Sequence, residues 1–177
     1  DGIEKITGIR PEFEEIDLTD GEVTRDFFAR HSDIRAVIHF AALKAVGESV
    51  NKPLEYYFNN LNSLMNVLTC MREFKVPNLV FSSSCTVYGQ ADVLPVTEKT
   101  PRHEAESPYG NTKVMSEDII RDLMRVEPDM KALALRYFNP IGAHPTAFIG
   151  ELPNGVPNNL IPYLTQTAIG IREQLSV

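Results

Sequence analysis

Three polar residues in this chain have the types and spacing of a proton-transfer site. Tyr109 and Lys113 lie four apart in a stretch that reads as helix, so the ammonium falls about one turn from the phenol. A tyrosine is a poor base at its ordinary pKa of about 10, but a neighbouring cation favours the phenolate and lowers that value. Ser84 stands 25 residues before Tyr109 and ends the hydroxyl triplet Ser82–Ser84 at the close of an apolar run. Together the three offer a donor to orient a substrate hydroxyl, a phenolate to take its proton, and a cation to keep the phenolate ionised. Tyr-x-x-x-Lys alone occurs by chance on many helices; the serine at a strand end makes it a candidate site.

The elements that must carry these residues alternate strand and helix. Pro11–Asp17 reads as a short strand, and Asp20-Gly21-Glu22 opens an amphipathic stretch through Phe27, Phe28 and His31. Ala36–Ala42 is a mostly apolar run of the kind buried on both faces of a parallel sheet. From Pro53 to Phe74 the residues Leu54, Tyr57, Phe58, Leu61, Leu64, Met65, Leu68 and Met71 recur every three or four positions, predicting one long helix with a single buried stripe that Pro77 stops. Asn78–Ser84 is the next buried strand. Ser107-Pro108 supplies an N-cap and a first-turn proline for a helix with Met115, Ile119 and Leu123 on one side and Glu117, Asp118, Arg121 and Arg125 among its polar residues. Lys131–Phe138 is a last strand, ended by Asn139-Pro140-Ile141-Gly142. The alternation predicts an α/β fold, a three-layer doubly wound parallel sheet, with ligands at the carboxyl ends of its strands.

Composition narrows the function classes. In 177 residues, 17 Lys and Arg face 24 Asp and Glu, and the net charge of −7 argues against a polyanion-binding surface and hence against nucleic acid as a partner. No run approaches the roughly 18 apolar residues of a membrane span, and the acidic start lacks the basic-then-apolar form of a signal peptide. Cys70 and Cys85 read as small apolar residues in a reducing compartment. His39 and His144 have no partners at metal-ligand spacing, so no metal is expected. A soluble, cytoplasmic protein follows as the expectation.

Six segments, in order, resemble the extended short-chain dehydrogenase/reductases, and within them the 4-epimerases of UDP-hexoses: His39–Val50, Lys52–Asn60, Phe81–Gly89, Ser107–Lys113, Arg136–Pro145 and Pro153–Tyr163. The resemblance covers most of the chain from Asp17 onward. It implies an NAD-binding Rossmann fold and the interconversion of UDP-glucose and UDP-galactose through a 4-keto intermediate. It also implies a homodimer, with the long helix Pro53–Phe74 in the interface. Carried over residue by residue, Asp17 and Leu18 would flank the adenine of NAD. Phe40, Ala41 and Lys44 would line its ribose and phosphates, Asn59 would stand on the nicotinamide side, Lys113 would reach the nicotinamide ribose and Phe138 would lie beside the ring. Ser84 and Tyr109 would meet the hexose at its 4-hydroxyl and also border the cofactor. Asn139 and Asn159 would bind the substrate's phosphates and adjoining sugar.

Two departures qualify the resemblance. Related 4,6-dehydratases carry an Asp-Glu pair directly after the hydroxyl; Cys85 and Thr86 stand there instead, which favours epimerisation over water elimination. None of the ten glycines forms the Gly-rich turn that holds a dinucleotide pyrophosphate. Asp1–Pro11 looks like the tail of the family's second helix, so the expectation is an internal fragment. Residues 1–150 would be a partial Rossmann domain without its first two strands, and 151–177 the start of the substrate portion. Other readings left open are a different NAD-dependent nucleotide-sugar epimerase or decarboxylase, and an inactive fragment of such an enzyme.

Overall fold

The computed structural model describes residues 2–151, 153, 155–157 and 159–175; Asn154 and Asn158 of the Pro153–Tyr163 segment and the last two residues lie outside them. In chain order the elements are α1 (Gly2–Thr7), α2 (Gly21–Arg30), β1 (Ala36–His39), α3 (Val46–Asn51), α4 (Pro53–Glu73), β2 (Asn78–Ser82), a 3-10 turn (Cys85–Tyr88), α5 (Pro108–Val126), β3 (Lys131–Leu135) and α6 (Leu160–Ala168). The chain divides into two units, one of Ile16–Phe138 and one of Asp1–Glu15 with Asn139–Val177.

Within Ile16–Phe138 the three strands form a parallel sheet in the order β1-β2-β3, with Ile38 opposite Val80 and Val80 opposite Leu133. Helices α2 and α5 start where the sequence supplies a side-chain cap. Asp20 accepts from the backbone N–H groups of Glu22 and Val23 ahead of α2, and Ser107 accepts from Gly110 N–H ahead of α5. Prolines 53 and 108 occupy first-turn positions, where a missing N–H costs nothing. The long helix α4 ends at Glu73, ahead of Pro77, where Lys75 takes a left-handed turn (φ 57°) and Val76 N–H reaches back to the Met71 carbonyl at 2.8 Å.

The core joins Phe28 of α2, Leu64, Val67, Leu68 and Met71 of α4, Leu79 and Phe81 of β2, and Ile120 of α5, with Val37 and Ala132 packed on it. These strand residues share one face of the sheet. The opposite face is open: Ile38 is 63% exposed and Leu133 58%. The parallel, helix-flanked sheet is the one expected, but within Ile16–Phe138 its helices pack on one face only. Pro11–Asp17, expected as a strand, is none: it has no ladder partner, and its alternating Glu12, Glu14 and Phe13 all face solvent.

The stripe on α4 also differs from expectation. Tyr56, Asn60, Ser63, Leu64, Val67, Leu68 and Met71 point inward, whereas Leu54, Phe58 and Met65 form a second, exposed stripe. In the other unit, α1 ends at Gly8, and Lys5 places its ammonium 5.4 Å from the centre of the Phe148 ring. Of the stretch Asp1–Pro11, Gly2–Thr7 is helical. Among the described residues no helix is long and apolar enough to cross a membrane.

Candidate active site

The candidate triad assembles at the carboxyl end of β2. The strand ladder stops at Ser82, and the chain turns through Ser83 and Ser84 into the 3-10 turn. Ser84 caps that turn, its Oγ accepting from Thr86 N–H at 3.2 Å, and its hydroxyl lies close enough to the Tyr109 phenol to favour the phenolate. A serine that satisfies a strand-end backbone group and a serine aimed at a phenol are here the same residue.

Helix α5 answers the serine triplet with residues four apart on one face. Tyr109 lies by Ser84, Lys113 Nζ donates to the Ser82 carbonyl at 2.8 Å, and Glu117 Oε1 accepts from Ser83 Oγ at 2.6 Å. Lys113 is only 4% exposed, and its ammonium lies 5.0 Å from the centre of the Phe81 ring and 5.7 Å from that of Tyr109. No carboxylate among the described residues pairs with it. Burial therefore lowers its pKa to about 8.

The phenol behaves differently from expectation. Burial pushes the Tyr109 pKa up, the Ser84 hydrogen bond pulls it back, and Tyr137 and Cys85 add to the rise, so the net direction is upward. The lysine lies over the ring, with its ammonium engaged by a backbone carbonyl. Among the chain's own groups, desolvation of the phenol is the largest influence and prevails over the hydroxyl of Ser84.

Sequence reasoning passed over two neighbours. His39, at the end of β1, is buried and stacks at 6.1 Å on Phe81; burial and the positive charge of Lys113 lower its pKa to about 4, so it is neutral beside that ammonium. Glu117 is buried too. Burial pushes its carboxyl up, but the hydrogen bonds of Arg136 and Ser83 and the charge of Arg102 outweigh this and leave it below the usual range. The signal that could have revealed Glu117 was the four-residue repeat Tyr109, Lys113, Glu117 itself.

The other predicted residues fall into groups. Phe40 and Phe138, past the ends of β1 and β3, are 62% and 60% exposed, and Ala41 and Lys44 are exposed in the loop after β1. That loop is held by Asn60, whose side chain accepts from Leu43 N–H at 2.8 Å and donates to the Leu43 carbonyl at 3.0 Å and to Thr112 Oγ1 at 3.2 Å. Asn59, half-buried, donates to Asn60 Oδ1. Asp17 accepts from the Thr19 N–H and hydroxyl, which holds its carboxyl below the usual range, and the Leu18 carbonyl accepts from Asn66. Asn139 and Asn159 belong to the other unit. There Asn139 is exposed, and Asn159 precedes α6 and donates to Glu151 Oε1 at 3.0 Å.

A parallel sheet whose strand-end hydroxyls meet a Tyr-Lys helix defines an α/β protein that works at the carboxyl edge of its strands. A model of the NAD dependent epimerase/dehydratase family matches residues 2–169, and the chain belongs to that family. It is 52% identical over 175 residues to the UDP-glucose 4-epimerase of Mus musculus and 49% to that of Yersinia pestis, covering 99% of this chain in both cases. The crystal structure of UDP-glucose 4-epimerase from Bifidobacterium longum, in complex with NAD+ and UDP, superposes with a TM-score of 0.93 at 44% identity over 98% of this chain. The chain spans about half the length of these relatives, 50%, 52% and 51% respectively.

Proposed function

We propose that this chain is part of a longer, NAD-dependent UDP-glucose 4-epimerase that interconverts UDP-glucose and UDP-galactose. The observation that carries the reading is the meeting of Ser84, Tyr109 and Lys113 at the end of β2, in a chain about half identical to enzymes of that activity. Residues 1–150 then belong to the cofactor-binding part and 151–177 open the substrate-binding part.

The residues present suit NAD. Two Lys113 donors remain beyond the one given to Ser82, which suits ribose hydroxyls. Phe138 offers open aromatic surface beyond the end of β3, which suits a flat nicotinamide ring. In this reading Asp17 and Leu18 flank the adenine, Phe40, Ala41 and Lys44 line the ribose and phosphates, and Asn59 stands towards the nicotinamide. When bound, NAD supplies a hydride acceptor and its return.

The chain's own groups handle the proton. Ser84 holds the sugar's 4-hydroxyl, and Tyr109 takes its proton as C4 becomes a ketone. Tyr109 returns that proton after the sugar has turned over. Lys113 keeps the phenolate electrostatically accessible once a second positive charge joins it; alone it does not overcome the desolvation of the phenol. Asn139 and Asn159 hold the phosphates and neighbouring sugar. The exposed stripe Leu54, Phe58 and Met65 on α4 supports a homodimer, and the two free cysteines support a cytoplasmic setting.

The test is interconversion of UDP-glucose and UDP-galactose by the full-length protein and its Tyr109→Phe variant. The variant is expected to lose about a thousandfold in kcat while still binding NAD. A wild-type protein that binds NAD but leaves both sugars unchanged refutes the substrate, and a variant within tenfold of wild type refutes the role of the phenol.

A further inference from the structure

The serine triplet and the α5 stripe meet as three rungs, of which the proton-transfer reading above uses two. The third is Ser83 with Glu117. Glu117 is buried, and a buried carboxylate without compensation costs several kcal/mol. Here the compensation is extensive. Arg136, just past β3, donates from Nε at 2.8 Å and from Nη2 at 2.5 Å, one to each carboxylate oxygen, and Arg102 Nη1 lies 3.7 Å from Oε2. Arg136 is itself steadied by the Tyr88 ring, 5.0 Å away in the 3-10 turn that Ser84 caps. One carboxylate thus joins α5, the end of β2 and the end of β3.

A planar fork on a carboxylate fixes direction as well as distance. With Arg136 holding both oxygens, Oε1 has a defined place from which to receive the Ser83 hydroxyl. Ser83 is covalently next to Ser84, so an error in its position passes directly to the hydroxyl that meets Tyr109. We propose that Glu117 is a positioning residue for the proton transfer, setting Ser84 against Tyr109 through its hydrogen bond to Ser83 and its clamp by Arg136. This rests on the epimerase reading above. Glu117 touches neither substrate nor cofactor in this role. A purely structural ion pair would need Arg136 alone; the short bond from Ser83 ties it to the site.

The experiment uses the full-length holoenzyme with Ser83→Ala, Ser83→Thr and Glu117→Gln. Ser83→Ala removes the donor and leaves the Glu117–Arg136 pair intact, so it is the variant expected to fold. Its kcat should fall about tenfold or more while KM for the UDP-sugar stays within about threefold, since positioning acts on the reacting geometry. Ser83→Thr, which keeps a hydroxyl, should recover most of the loss. Glu117→Gln keeps an acceptor for Ser83 but loses its charge, so it should combine a kcat loss with a lower melting temperature.

The second readout is the titration of Tyr109, followed by ultraviolet difference absorbance against Tyr109→Phe. Around that phenol stand Lys113, Ser84, Cys85 and Tyr137; around Glu117 stand Arg136, Arg102, Asp118 and Ser83. Loosening Ser84 weakens the one hydrogen bond that favours the phenolate, so in Ser83→Ala the titration and the acidic limb of the pH–kcat curve should both move upward. A Ser83→Ala enzyme with wild-type kcat and unmoved titration overturns the proposal, as does one whose melting temperature alone falls. If wild type converts neither sugar, the epimerase reading fails separately, and the Tyr109 titration still decides whether Ser83 and Glu117 govern the phenol.

Discussion

Lys113→Met should make the cofactor-free protein more stable while disabling it. The ammonium is buried with one carbonyl and two ring faces for company and no carboxylate partner among the described residues, and its pKa falls from 10.5 to about 8. A drop of that size corresponds to about 3 kcal/mol of disfavour for the charged form in the folded state. Because the folded value is the lower one, the unfolded chain holds more protons between the two values. Stability therefore rises as pH passes through about 8 and is complete only near the unfolded value. Between pH 7 and pH 9.5 the rise from this group alone comes to about 2 kcal/mol. Methionine removes the charge at similar volume but leaves the Ser82 carbonyl without its donor, which returns about 1 kcal/mol or more. The net expectation at pH 7 is a gain of about 1–2 kcal/mol. Urea denaturation of wild type and Lys113→Met, both stripped of cofactor, at pH 7 and pH 9.5 reads this directly. Wild type should gain on the variant as pH rises. Parallel pH dependence in the two proteins, or a variant less stable at pH 7, would refute the reasoning.

Other perturbations have equally definite signs. His39 is buried neutral with its pKa lowered to about 4, so its stability contribution is whole above about pH 6.5 and is lost as pH falls towards 4; relative to His39→Gln, wild type should lose up to about 3 kcal/mol over that window in acid denaturation. Leu64, with none of its surface exposed at the centre of the α2–α4–β2 core, should cost about 2–5 kcal/mol when cut to alanine, seen as a lower urea midpoint at unchanged slope. A variant within half a kcal/mol of wild type would show that this core is not close-packed.

Much of the fold was legible because punctuation and periodicity agreed. Asp20, Pro53, Ser107 and Pro108 mark helix starts that the structure uses. Reading failed where a residue's usual preference was overruled. On α5 the inward face is Thr112, Lys113, Ser116 and Glu117, while Met115 is exposed; hydrophobic periodicity alone places these the other way round. Polar groups tolerate that interior because the serine triplet, Asn60 and Arg136 satisfy them, and such partners are invisible to a single-helix pattern. On α4, Leu54 and Phe58 match the buried spacing but project away from the sheet. Pro11–Asp17 has strand-like alternation, but a strand also needs a neighbour. The short helix α3 was missed because Val46–Asn51 is too brief to show a period. Tyr109, Lys113 and Ser84 were readable from type and spacing; His39 and Glu117 required the third dimension.

The strand order has a consequence for biosynthesis. Because β1, β2 and β3 lie side by side in the order in which they are translated, each new strand adds to an edge already present, and none has to wait for a later one to be inserted beside it. Helix α5 is the exception to this orderly growth. It is synthesised before β3, yet its Glu117 can be buried cheaply only when Arg136 arrives beyond that strand. Until then the polar face of α5 has reason to stay in water, and Tyr109 and Lys113 stay with it. The serine end of β2 therefore completes its set of partners only with Arg136, so that a chain halted before that residue lacks the clamp on Glu117.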